Sequence, residues 1–168
     1  MLYNEISIRI TLIMDLISHG LINNLIFKSL PTNERWWAII FGMLPDLISF
    51  SGVMKLEFFK KLLFFKKIPH AFIPLFVFKI YNITHSLVIW AIIFTVIWFL
   101  GFKIMAIAFI GWAVHIVIDI FTHSAKSFPT KIFWPLSDWN YSGFTWSSAK
   151  FLIIEYSILA ILYALFYF

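Results

Sequence analysis

Apolar residues fill four stretches of the chain almost without a break: Trp36 to Met54, Asn82 to Leu100, Lys103 to Thr122 and Phe151 to Phe168. A helix needs about 20 mostly apolar residues to cross a bilayer, so each stretch is predicted as a spanning helix. A fifth, Ile6 to Phe27, is weaker because Asp15, His19, Asn23 and Asn24 interrupt it. The ordered part of that segment is expected to start near Met14. Between the second and third stretches, "EFFKKLLFFKKIPHAF" alternates paired lysines with paired aromatics. That pattern predicts an interfacial segment over about 55–80, with its lysines reaching toward headgroups. Gly101 and Phe102 form a tight connection, and Pro129 and Pro135 keep the 123–150 loop from continuing as helix. With no internal repeat or low-complexity linker, the expected fold is all-α. It is one domain over 1–168, a polytopic membrane bundle of four to five transmembrane helices.

Composition agrees. Of the 168 residues, 62% are hydrophobic and 12% charged, against about 25% charged in soluble chains. There is no cysteine, so a metal would have to be held by imidazole, carboxylate, carbonyl or water. Arg9 precedes an apolar run, but Asp15 interrupts it and no small-residue cleavage pattern follows, so the start is not read as a signal peptide.

The net charge of +5 would suit nucleic acid, but its distribution points to membrane lipid as the partner. Threading five spans puts Arg9, Lys55, Lys60, Lys61, Lys66, Lys67, Lys79, Lys126, Lys131 and Lys150 on one side, and Lys28, Arg35 and Lys103 on the other. The lysine-rich side is therefore expected to be cytoplasmic. No nucleic-acid partner is expected. The glycosylation-like triplets at Asn82 and Asn140 then read as chance matches.

An ionised side chain at mid-bilayer costs about 2.5–3.5 kcal/mol on insertion scales. Asp15, His19, Asp46, His85, His115, Asp119, His123 and Glu155 each need a reason to be there. In the five-span threading nearly all of them fall toward the cytoplasmic ends of helices that alternate in direction. The opposite halves, such as "AIIFTVIWFL" and "KIMAIAFIGW", are nearly free of polar side chains. A pocket open to one face suits a site better than a transport path, which needs polar groups reaching both sides. Along a helix, His115 and Asp119 stand about 40° and about 6 Å apart, whereas His115 and His123 are separated by about 12 Å. So His115–Asp119 and Asp119–His123 are alternative ligand pairs, or Asp119 bridges two metals. Asp15 and His19 repeat the spacing. A divalent cation neutralises such a group directly. Blander readings suit other residues: His70 as an ordinary hydrogen-bonding histidine, Asp46 as a cap after Pro45, Glu57 and Asp138 as solvated charges, and Trp134 and Trp139 as interfacial aromatics.

The stretches "DLISHG", "FGMLPDLISF", "NITHSLVIW", "GWAVHIVIDIFTH" and "IFWPLSDW", from about residue 14 to 140, resemble the LexA-binding, inner-membrane-associated hydrolases, also called membrane-bound metal-dependent hydrolases. The resemblance implies a helical membrane protein with a site comparable to zinc-dependent phospholipase C-like centres. Its implied residues are His19, Asp46, His85, His115 and Asp119. The chain departs from the family at Ile48, where a second Asp is usual, and at "IYNITHS", where a His-Arg pair is usual; His123 is the residue left to compensate. The resulting expectation is a zinc-type hydrolytic site at the cytoplasmic interface. His85, His115 and Asp119 would hold the divalent metal, with His19, Asp46 or His123 completing the shell. Asp46, if not a ligand, would be the general base, and the substrate a phospholipid or lipid-linked phosphate. Other classes suit the same residues. They are a non-catalytic metal-stabilised membrane protein, a partner-binding anchor using the basic 55–67 stretch, and, less well, a small transporter.

Overall fold

The protein is described here by a computed structural model covering residues 3–51, 75–125, 129–144 and 148–168. Six helices and no strand occur among the described residues: α1 (Tyr3–Ile26), α2 (Thr32–Ser51), α3 (Leu75–Thr84), α4 (Leu87–Phe99), α5 (Lys103–Thr122) and α6 (Ala149–Tyr167). Most of the expected interfacial segment, 55–74, lies outside them; its last residues enter α3.

Two helices, α5 and α6, are long and apolar enough to cross a membrane. A third crossing exists if α3 and α4, bent by 52° at their junction, form one broken span. This is fewer than the four to five spans expected. Helices α1 and α2 fall short because they carry polar cargo. In α1 it is Asp15, His19, Asn23 and Asn24; in α2 it is Glu34, Arg35 and Asp46.

The expected helix over Asn82 to Leu100 is likewise corrected. Helix α3 stops at Thr84, the His85 amide bonding back to Tyr81 O at 2.9 Å. Ser86 then caps α4, its Oγ accepting from Ile89 N at 3.2 Å. A serine in extended geometry satisfies a free amide of the new helix and so favours a fresh start over continuation. Helix α2, by contrast, runs through Pro45, so Asp46 lies within the helix and not at a cap.

The core is a triplet of helices, α2 packing most extensively on α5 and then on α1. Its register can be followed residue by residue. A Cβ at Gly42 would collide with the Asn23 side chain, and one at Gly111 with Ala38 O and Asn23 Oδ1. Only glycine at both positions lets three backbones meet around Asn23, the close approach that small residues permit in membrane bundles. The pairs Ala38–Gly111 and Gly42–His115 show that α2 and α5 run parallel. The pairs Asn23–Gly42 and Gly20–Met43 show that α1 runs antiparallel to them. One turn beyond this glycine layer, every helix of the triplet presents a polar residue inward.

The 123–150 loop does not simply hang in solvent. Gly143 N bonds to His123 O at 2.9 Å, Phe144 N to Phe121 O at 2.8 Å, and Leu87 N to Ile132 O at 2.9 Å. The chain between α5 and α6 is thus strapped back onto the end of α5 and onto the α3–α4 junction. Asp138 is exposed and pairs with Lys131 at 2.7 Å, a surface contact worth about 0–1 kcal/mol.

Candidate metal centre

Each helix of the triplet carries its inward-facing residues in steps of four: Asp15, His19 and Asn23 on α1; Gly42 and Asp46 on α2; Gly111, His115, Asp119 and, at the C-cap, His123 on α5. Such steps keep residues on one face, and the glycine layer brings the three faces together. His85 arrives from the α3–α4 junction. His19, His85, His115 and Asp119 are all 0% exposed, and Asp46 is 7% exposed.

Asp119 is the centre. Its Oδ2 lies 3.1 Å from His85 Nε2 and 3.3 Å from His115 Nε2; its Oδ1 lies 3.2 Å from His19 Nε2 and 3.5 Å from His123 Nδ1. Asp46 Oδ1 adds contacts of 3.5 Å to His85 Nε2 and 3.8 Å to His115 Nε2. Asp15 Oδ1 stands 3.7 Å from His19 Nε2.

The protonation of two rings follows from their other nitrogens. His115 Nδ1 donates to Gly42 O at 2.8 Å, and His85 Nδ1 donates to Tyr81 O at 3.0 Å. A carbonyl can only accept, so in the neutral rings both Nε2 atoms carry lone pairs. Those two atoms face each other at 3.0 Å, with carboxylate oxygens of Asp46 and Asp119 beside them. Both oxygens of Asp119 and both nitrogens of His19 are buried without a hydrogen-bond partner. A cluster of electron pairs sealed from water is costly unless something positive sits among them.

Distances test whether a cation fits. With metal–ligand bonds of about 2.0–2.2 Å, a tetrahedral site has ligand atoms about 3.3–3.6 Å apart. The five contacts among His85, His115, Asp119 and Asp46 just given run from 3.0 to 3.8 Å. These four residues could hold a metal ion, and Asp15, His19 and Asp46 form a second group whose ligand atoms also lie within 4.8 Å of one another. Asp46 belongs to both. His123 touches Asp119 but joins neither group.

The supporting contacts follow the pattern of metal sites, in which the far nitrogen of a ligating histidine is held by a carbonyl. Tyr81 stacks on His85 at 3.7 Å between ring centroids, and His19 lies against His115 at 3.8 Å. Trp112 Nε1 donates to Thr84 O at 2.7 Å, tying the junction that carries His85 to α5. Thr130, from the strapped loop, meets Tyr81 Oη at 3.1 Å.

Sequence reasoning gathered His19, Asp46, His85, His115 and Asp119 as candidates but left Asp15 out of the ligand set. The signal was its spacing of four from His19. It also passed over Gly42 and Gly111, each four residues before an inward polar residue. Glu155 has a buried Oε2 without a hydrogen-bond partner but joins neither ligand group.

The family described as YdjM inner membrane protein matches residues 14–168. The chain therefore belongs to that family of inner membrane proteins. No curated protein and no solved structure matches it.

Proposed function

We propose that this inner membrane protein is a metal-dependent hydrolase, with its site at the cytoplasmic membrane interface and a phospholipid or lipid-linked phosphate as substrate. The observation that carries the metal half is the set of inward-facing electron pairs: two Nε2 atoms with their tautomers fixed by carbonyls, beside two carboxylates. The resemblance to the LexA-binding, inner-membrane-associated hydrolases supports the hydrolytic half.

His85, His115 and Asp119 would hold the ion, with Asp15 and His19 as a flanking group. A bound zinc-type ion supplies a Lewis acid and a water whose pKa falls to about 7. Asp46 is the least buried member of the four-residue group, so its carboxylate is the one best placed to accept a proton from water arriving at the site. Gly42 O and Tyr81 O keep the two imidazoles oriented throughout. The abundance of lysine on the same predicted face favours an anionic headgroup.

Complete burial favours a second reading, in which the ion locks three helices together without turnover. Elemental analysis of detergent-purified protein separates the outcomes when paired with release of phosphate-bearing headgroups from mixed micelles. Wild type is expected to carry near-stoichiometric divalent metal and to cleave, while the near-isosteric Asp119→Asn and His115→Gln lose both. Metal without turnover leaves the structural reading. Absence of metal even after zinc is added defeats both readings.

A further inference from the structure

At the opposite end of the triplet, a cavity of about 470 Å³ opens between the first turns of α2 and α5. Its volume falls in the range of about 300–1,000 Å³ usual for small-molecule sites. Mostly apolar walls from Trp37, Phe102, Met105 and Ala108 carry two charged residues, Glu34 and Lys103. Sixteen residues separate Lys103 from Asp119 along α5, about 24 Å of helix, so this cavity is remote from the metal group.

The two charges do not satisfy each other. Lys103 sets its ammonium over the Trp98 ring, 4.0 Å from the centroid. Glu34 Oε2 is buried with no hydrogen-bond partner. The local reason is visible in the sequence. Arg35 N bonds to Pro31 O at 3.0 Å, so Pro31 is the cap of α2 and Glu34 its third residue. A glutamate there ordinarily bonds back to the amide of the cap residue, but proline has no N–H to offer. Glu34 is left without that partner, and its side chain lines the cavity. On the other wall, α5 begins at Phe102 with no side-chain cap, leaving first-turn amides beside Lys103 as an anion-favouring corner.

We propose that this cavity binds the zwitterionic headgroup of a phospholipid carrying a primary amine, with the ammonium on Glu34 and Trp37 and the phosphate on Lys103 and the start of α5. A primary ammonium can donate N–H bonds to the Glu34 carboxylate, whereas a quaternary ammonium cannot. The Trp37 indole face adds attraction for the cation. This reading rests on α5 spanning the membrane, which puts the cavity at headgroup depth, and it is independent of the metal proposal.

The test is native mass spectrometry of the full-length, delipidated protein exposed to equal amounts of phosphatidylethanolamine, phosphatidylcholine and phosphatidylglycerol. Wild type is expected to retain phosphatidylethanolamine about tenfold over the other two, the discrimination expected of one charge-assisted hydrogen bond. Glu34→Gln should erase that preference and Glu34→Asp reduce it, with metal content unchanged in both. His115→Gln should lose metal and keep the lipid preference. Equal retention of the three lipids by wild type, or a preference that survives Glu34→Gln, overturns the proposal.

Discussion

Helices α5 and α6 look alike as strings of letters. They have 20 and 19 residues, and both are long and apolar enough to span a membrane. Within the molecule they differ sharply: 39% of the α5 span is buried inside the protein, against 6% of α6. Helix α6 buries only Leu159 and is tied to α1 through Tyr163. There Asn24 Nδ2 donates to Tyr163 Oη at 2.8 Å, and Tyr163 Oη donates to Leu21 O at 3.1 Å. The difference shows what buries a helix when the solvent is lipid. Apolar side chains have little reason to leave hydrocarbon, so association depends on small residues, close packing and polar contacts. Helix α5 offers Gly111, His115 and Asp119 in a row, and α6 offers little besides Tyr163 and Glu155.

Substitutions that exchange these properties should break the contrast in graded steps. The largest effect is expected at Gly111→Ala, where the new methyl meets Ala38 O and Asn23 Oδ1. Forcing α2 from α5 should cost about 1–3 kcal/mol and stretch the Gly42–His115 bond. Thermal unfolding in detergent should show the loss of stability, and elemental analysis a fall in bound metal. A protein that melts and binds metal as wild type does would show that the glycine layer does not set the register. Next comes Tyr163→Phe, which removes a polar tie of α6 to α1. Hydrogen bonds between membrane helices are worth about 0.6–1.7 kcal/mol, so the melt should shift by that much with metal content untouched. Smallest is Ile161→Leu on the lipid face of α6, 59% exposed. It should stay within about 0.5 kcal/mol in the same melt; a larger shift would mean that this face is packed against protein.

Much of the architecture could be read locally. The helical class, the end of α5 at Thr122 and the steps of four that align His115 with Asp119 all follow from helical periodicity, a property of neighbouring residues. Belonging to an inner-membrane family agrees with the apolar composition. Other features escaped that reading. The break at His85–Ser86 was not legible because an apolar run reads the same whether or not a serine caps a new helix within it. The span count was too high because the polar residues of α1 and α2, read as interruptions of apolar runs, leave those helices short of the apolarity a crossing needs.

The sequence by itself determined which polar residues are candidates for a site and which face of each helix they occupy, because 3.6 residues per turn leaves little choice. Only the tertiary structure decided that those faces meet. The register of α1, α2 and α5 rests on the contact of Asn23 with Gly42 and Gly111, positions separated by up to 88 residues. It is that contact that gives His115 the Gly42 carbonyl and places Asp119 among four histidines. No local pattern encodes it, since steric fit between distant backbones exists only once all three are present.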